Sequence, residues 1–315
     1  MSVQNVLGYC VAAVSSIIVT ACGGGGGSGT GTTTPEVINQ SVGGIWRSQY
    51  TSVTGVAVTE VGLASETGSF YLESKNDSND CVAVGLGSLT VSGNSVTGTA
   101  KAALVSFAVG SGVQTNCVYA DGSTSASFTV TGSVNQRSQL TLTDSGTTSG
   151  GTALPSQTVT YTYDALYSES SSLGKVAGTW SNWTDANSAT TSIDSNLTAF
   201  LDGWASSAPG QGTITIDASG AISANDVTID GEGIQEGCIT TGQVSIINQY
   251  YNMYSFTATI ACYNGNPEAQ FAPSDESGLI YLDTTVTPNI LVGGGTVTNL
   301  EAGSTDTEVF TALRQ

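Results

Sequence analysis

Apolar and hydroxyl residues alternate along most of this chain. Phe128-Thr129-Val130-Thr131 and Leu140-Thr141-Leu142-Thr143 set apolar side chains against threonines, as do Thr158 to Tyr163 and Thr213-Ile214-Thr215-Ile216. A period of two puts the apolar set on one face and the hydroxyls on the other, the signature of half-buried antiparallel strands. Ser92-Gly93-Asn94, Asp121-Gly122 and Asp217-Ala218-Ser219-Gly220 interrupt the pattern with residues that tolerate positive φ, and so predict hairpin turns. One segment departs from it. Ile193, Leu197, Phe200, Leu201 and Trp204 fall on one helical face, with Ser192 or Asp194 to cap the start and Pro209-Gly210 to stop the end. This short helix is expected to cover an open end of the fold; the sharper alternative is a docking helix for another envelope protein or for lipid.

The pattern also repeats. Gly44-Ile45-Trp46 opens one unit and Gly178-Thr179-Trp180 opens another about 134 residues later. Each unit carries Cys-x-x-x-Gly, as Cys81 to Gly85 and Cys238 to Gly242, followed by the alternations Leu89/Val91 and Val244/Ile246. Asn94 to Ala100 then lines up with Asn252 to Ala258, and each unit reaches a second cysteine before ending in alternating strands. A shared order of this kind predicts a tandem duplication. The expected fold class is all-β: two tandem antiparallel β-barrel (or sandwich) domains of related plan, with one short helix in the second.

Composition narrows the chemistry. The chain has 25 acidic and 6 basic residues, no His and a net charge of −19. Nothing here could neutralise a run of phosphates, so nucleic acid is excluded as a partner. Without His there is no Ser-His-Asp triad, no Cys-His dyad and no His-ligated zinc. Cys81, Cys117, Cys238 and Cys262 read as two disulfides in an oxidising compartment, where three pairings are open; the repeat selects Cys81–Cys117 and Cys238–Cys262. Each such loop contributes about 3–4 kcal/mol in the chain-entropy view.

At the N-terminus, Val19-Thr20-Ala21-Cys22 follows the apolar run Val11 to Val19 and precedes the Gly/Ser/Thr-rich run Gly23 to Thr34. This resembles the lipobox of bacterial lipoproteins, in which the cysteine is lipidated and becomes the new N-terminus. The resemblance implies a signal peptide over 1–21, a lipidated Cys22 with a flexible tether over 22–40, and membrane attachment through that lipid. Met1 to Asn5 departs from the pattern in carrying no Lys or Arg. With Gly23 rather than Asp after the cysteine, the resemblance points to the outer membrane. The remaining boundaries are a β domain over 41–167, a Ser-rich linker over 168–174 that suggests some freedom between units unless Tyr167 and Leu173 dock it, and a second β domain over 175–315.

The Gly-x-Trp of each unit is similar to the opening motif of lipocalins, up-and-down barrels that hold apolar ligands and whose Trp packs across the closed end. That likeness implies core roles for Trp46 and Trp180 and a ligand space inside each barrel. The family's buried Arg against the Trp has Arg137 as its candidate in the first unit and nothing before Arg314 in the second.

Candidate sites are sparse. Asp226, Asp230 and Glu232 are the carboxylates a glycan hydrolase would need, yet solvated strand-and-turn acids are the expectation. Asp77, Asn79 and Asp80 are the best calcium candidates, although the pattern lacks the position-six Gly and position-twelve Glu of the twelve-residue EF-hand loop, and a turn into Cys81 is the better reading. Tyr250, Tyr251 and Tyr254, beside Asn248 and Asn252 and with Trp183 in the same unit, suit contact with a glycan or peptide; a hairpin bend at Asn252 would make them packing instead. The sequence therefore predicts a non-enzymatic outer-membrane lipoprotein without cofactor or metal. It would act as a surface binding or scaffolding module for an envelope protein or glycan. A lipocalin-like carrier of a small apolar ligand is the alternative, with a carboxylate-based hydrolase behind it. A deep cavity in either barrel would favour the carrier.

Overall fold

The computed structural model describes residues 40–51, 57–76, 81–106, 117–182, 213–225, 228–229, 235–264, 273–299 and 305–314. The first unit is a closed up-and-down barrel. It runs through β1 (Gly44–Thr51), β2 (Ala57–Ala64), β3 (Ser69–Asn76), β4 (Cys81–Ser92), β5 (Ser95–Ser106), β6 (Ser125–Asn135), β7 (Gln139–Thr148) and β8 (Ala153–Tyr163). Each strand is antiparallel to the next, and β1 meets β8 at Trp46↔Tyr163 and Arg47↔Thr162. Closure leaves no edge strand exposed for another chain to pair with.

A 3-10 turn at Ala165–Ser168 and the short helix α1 (Leu173–Val176) lead into the second unit. Its strands are β9 (Gly178–Asn182), β10 (Thr213–Ile216), β11 (Ala221–Asn225), β12 (Thr228–Ile229), β13 (Gln235–Ile246), β14 (Tyr254–Asn264), β15 (Ser274–Asp283), β16 (Ile290–Asn299) and β17 (Thr305–Arg314). They form one sheet in the order β11-β10-β9-β17-β16-β15-β14-β13-β12. β11 also pairs with β13, from Ala221↔Gln243 to Asn225↔Ile239, which brings the two ends of that sheet together. The segment read as a helix, 193–204, lies outside the described residues.

The two units share local detail. Trp46 Nε1 donates to Val42 O at 2.8 Å, and Trp180 Nε1 donates to Val176 O at 2.8 Å. In the first unit Leu89 N donates to Gly68 O, and in the second Val244 N donates to Gly220 O. Both glycines take positive φ, +91° and +87°, and a Cβ would lie 2.0 Å from Leu89 O and 2.4 Å from Val244 O. Only glycine fits such a corner. Across the next ladder Leu89 faces Gly98 and Val244 faces Phe256. Tyr163 N donates to Ser138 O as Arg314 N donates to Asn289 O.

The cysteines break this equivalence. Cys81 stands eight residues before Leu89 but Cys238 six before Val244, so their Cys-x-x-x-Gly motifs are two residues out of register. Cys117 lies between strands, whereas Cys262 sits within β14 opposite Cys238.

The connection is not a free linker. Alternation along β1 and β2 sends Ile45, Val61 and Leu63 outward from the first barrel, and alternation along β15 and β16 sends Leu279, Tyr281, Ile290 and Val292 outward from the second. These residues meet, with Val84, Leu166, Tyr167 and Met253, in one buried cluster. Ser171 N donates to Gln249 O, Asn252 N to Tyr167 O, and Arg47 Nη2 to Tyr281 Oη at 3.0 Å. Tyr167 docks the Ser-rich connection into that cluster, the alternative to free movement between the units.

Candidate functional site

The first barrel is filled at one end and hollow at the other. Trp46 is fully buried at the filled end, packed with Phe70, Leu89, Val96, Val134 and Leu140. Beyond them opens a cavity of about 490 Å³. Space exists there because β4 and β5 turn small side chains inward, Ala83, Gly85, Ala100 and Ala102, while Leu72, Leu104, Phe128 and Val159 supply apolar wall. Val118, Tyr119 and Ala120, in the connection before β6, border the same space.

Two carboxyl groups project into it. Glu60 sits on β2 between the inward positions Val58 and Gly62, and is 5% exposed. Tyr161 Oη donates to its Oε2 at 2.7 Å, Tyr50 Oη donates to its Oε1 at 3.2 Å, and Ser74 adds a further hydrogen bond. Burial nevertheless pushes the Glu60 carboxyl above its ordinary value, against the pull of those donors, and the Asp144 charge adds to the rise. Asp144, on β7, accepts from Gln157 N at 3.1 Å, and burial raises its carboxyl as well. Burial and the neighbouring acids raise Tyr50 and Tyr161 strongly. Tyr119 is pushed up to about 12, chiefly by burial and then by Asp144 and Asp121.

No cation balances these acids among the described residues. Arg47 bonds Asp164 at 2.5 Å on the outer surface, and Arg137 donates to Tyr251 Oη and lies 5.0 Å from that ring. Arg314 stacks 5.7 Å from Trp180 and donates to Ala177 O at 2.7 Å. Lys175 bonds Ser170 O, and Lys75 follows the inward-facing Ser74 on β3, so it points outward. Lys101 borders the cavity with an exposed side chain.

The second unit diverges at the matching positions. Counting from the shared β7–β8 and β16–β17 ladders, in which Leu140↔Tyr161 corresponds to Leu291↔Ala312, Asp144 is replaced by Gly295 and Tyr161 by Ala312. Phe256 stands where the first barrel has Gly98. It projects against Gly278 and Gly295, so that Cβ atoms there would come within 2.7 and 3.0 Å of its ring. A smaller, more open cavity of about 340 Å³ is bordered by Gly242, Ala258 and the buried Glu276.

The residues singled out in the sequence fall elsewhere. Trp46 and Trp180 are core side chains, 0% and 1% exposed. Arg137 does not reach Trp46; Tyr163 takes that place edge-on at 5.5 Å, and the Arg-on-Trp pair occurs instead at Trp180, with Arg314. Tyr250 and Tyr251 lie in the turn that bends at Asn252, while Tyr254 opens β14 and is buried; Tyr251 stacks on Tyr167 at 4.9 Å. Asn252 is held both ways by the Leu282 backbone, and Tyr250 is left 69% exposed. Cys117 is buried and disulfide-bonded. Cys22, Trp183, Asp77, Asn79, Asp80, Asp226, Asp230 and Glu232 lie outside the described residues.

Glu60 and Asp144 were missed because Val61 and Leu63 make the opposite face of β2 look like the core face. The signal available was an acid inside the apolar run Ala57 to Ala64. The chain matches no known family model, no curated protein and no solved structure. Its own geometry is a tandem of related antiparallel β units with a largely apolar pocket, polar at Glu60 and Asp144, inside the first.

Proposed function

We propose that this chain is a lipid-anchored envelope carrier whose first barrel binds one small ligand in its lumen, while the second braces it. The observation that carries the reading is the cavity of about 490 Å³, apolar over most of its wall and polar at Glu60, Asp144 and the tyrosines around them. That is the composition of a small-molecule site: apolar walls with a few placed polar groups. The up-and-down barrel, the filled end over Trp46 and the hollow far end support a lipocalin-like role. The acids sit inside a barrel, which a glycan chain could not thread, so a hydrolase fits less well. A surface scaffold would not need a hollow interior.

The anchor rests on Val19-Thr20-Ala21-Cys22, and its placement in the outer membrane on Gly23. Labelling with palmitate that is lost in Cys22→Ser tests it. Disulfides Cys81–Cys117 and Cys238–Cys262 belong to the same proposal. They are supported by the disulfide-bonded Cys117 and by Cys238 facing Cys262 across the ladder.

Ligand binding is tested with the neutral fluorophore N-phenyl-1-naphthylamine on the full chain carrying Cys22→Ser, so that no acyl chain competes for the probe. Saturable one-to-one binding is expected. Ala102→Phe, which fills the lumen, should weaken it at least tenfold. Absence of binding, or binding unchanged in Ala102→Phe, would overturn the carrier.

A further inference from the structure

We propose that the lumen of the first barrel selects a protonated amine carried on a compact apolar or aromatic body, its ammonium seated between Glu60 and Asp144. This deepens the carrier reading and rests on it. Two acids on β2 and β7 face one enclosed space, and the described basic side chains are either engaged outside the barrel, pointed outward or, for Lys101, exposed at its border. A bound ammonium would supply the missing countercharge in a low-dielectric site, where such a pairing counts for more than in water.

The rest of the wall agrees. Tyr50, Tyr119, Tyr161, Phe70 and Phe128 all line the cavity, and aromatic faces attract cations, the more so once desolvated. Glu60 accepts from two tyrosine hydroxyls and from Ser74, three of the roughly four lone-pair sites of a carboxylate, which leaves one for an N–H donor. Tyr161 and Tyr50 thus position the acid rather than use it up. A fatty acid or other anion would meet two carboxyl groups and no buried base. The whole chain, at −19, draws cations toward it and repels anions.

The second barrel provides the internal contrast. Gly295 and Ala312 replace Asp144 and Tyr161, and the ring of Phe256 stands where the first barrel has Gly98, so the amine site belongs to the first barrel alone among the described residues.

Calorimetric titration of the full chain carrying Cys22→Ser with tryptamine and with its alcohol counterpart tryptophol tests the selection. The two differ only in ammonium against hydroxyl. Tryptamine should bind at least tenfold more tightly at neutral pH. Glu60→Gln should erase that preference, and Asp144→Asn should reduce it partly. A cooperative thermal transition shows that the Glu60→Gln barrel is folded. Equal affinities for the two ligands, or a preference that survives both substitutions, would overturn the amine site while N-phenyl-1-naphthylamine binding keeps the carrier reading. Failure of all three probes would overturn both.

Discussion

Glu60 and the turn aspartates make opposite demands on pH. Burial raises the Glu60 carboxyl, so the folded state holds its proton to higher pH than the unfolded chain does. Its contribution to stability is fully present below the ordinary carboxyl value, about 4.3, and is lost as pH rises through the folded value. Asp121 and Asp217 go the other way. Hydrogen bonds led by Ser123 and Ser219 hold these carboxyls below the usual range, so their contribution is present above about 3.9 and is lost as pH falls through the folded values. The melting temperature should therefore peak on the acid side of neutrality. Glu60→Gln should raise stability by about 1 kcal/mol or more at pH 7 to 8, where burial opposes the ionisation that the unfolded chain allows, and leave it nearly unchanged near pH 4. Thermal unfolding across pH checks this; a constant gap between variant and parent would show that Glu60 does not titrate against burial.

Strands and turns were legible in the sequence because alternation and glycine are local signals. The runs at 128–131, 140–143, 158–163 and 213–216 all fall within strands, and Gly93, Gly122 and Gly220 turn with positive φ as required. The repeat was legible too, since Gly-x-Trp fixes the same Trp-to-carbonyl bond twice. Which face of a strand points inward was not. Val61 and Leu63 are as apolar as any barrel lining, yet they pack on the other barrel, and the acid between inward positions lines the cavity. Register between units also escaped, because a cysteine motif can slide by two residues without changing face. Phe256 shows how one position separates the barrels. Phe256→Ala should cost about 3–5 kcal/mol, as for truncating a buried aromatic, and should give the second barrel measurable affinity for N-phenyl-1-naphthylamine in an Ala102→Phe background. Denaturant unfolding and fluorescence titration check the two halves; a stability loss without new binding would mean that the space collapses rather than opens.

At the scale of the molecule, the two β units share one buried apolar cluster and so should not behave as two. Their outer faces share the cluster of Ile45, Val61, Leu63 and Val84 with Leu279, Tyr281, Ile290 and Val292, closed at one side by the Tyr167–Tyr251 stack and the Arg137 contact. Domains joined by small polar interfaces move independently, whereas a large apolar one couples them. The buried side chains here are of core type, worth about 1.5–3 kcal/mol each when fully buried against exposed. Separating the barrels would expose several at once, more than a domain's typical margin of about 5–15 kcal/mol readily absorbs. The chain should accordingly unfold in a single calorimetric transition, with van't Hoff and calorimetric enthalpies equal. Leu279→Asp places an unpaired charge in that cluster without touching either lumen. It should split the transition in two and leave N-phenyl-1-naphthylamine affinity within about twofold, since the cavity lies wholly inside the first barrel. Two transitions in the unmodified chain would show that the shared cluster does not couple them; lost binding in Leu279→Asp would show that the second barrel shapes the cavity rather than only bracing its wall.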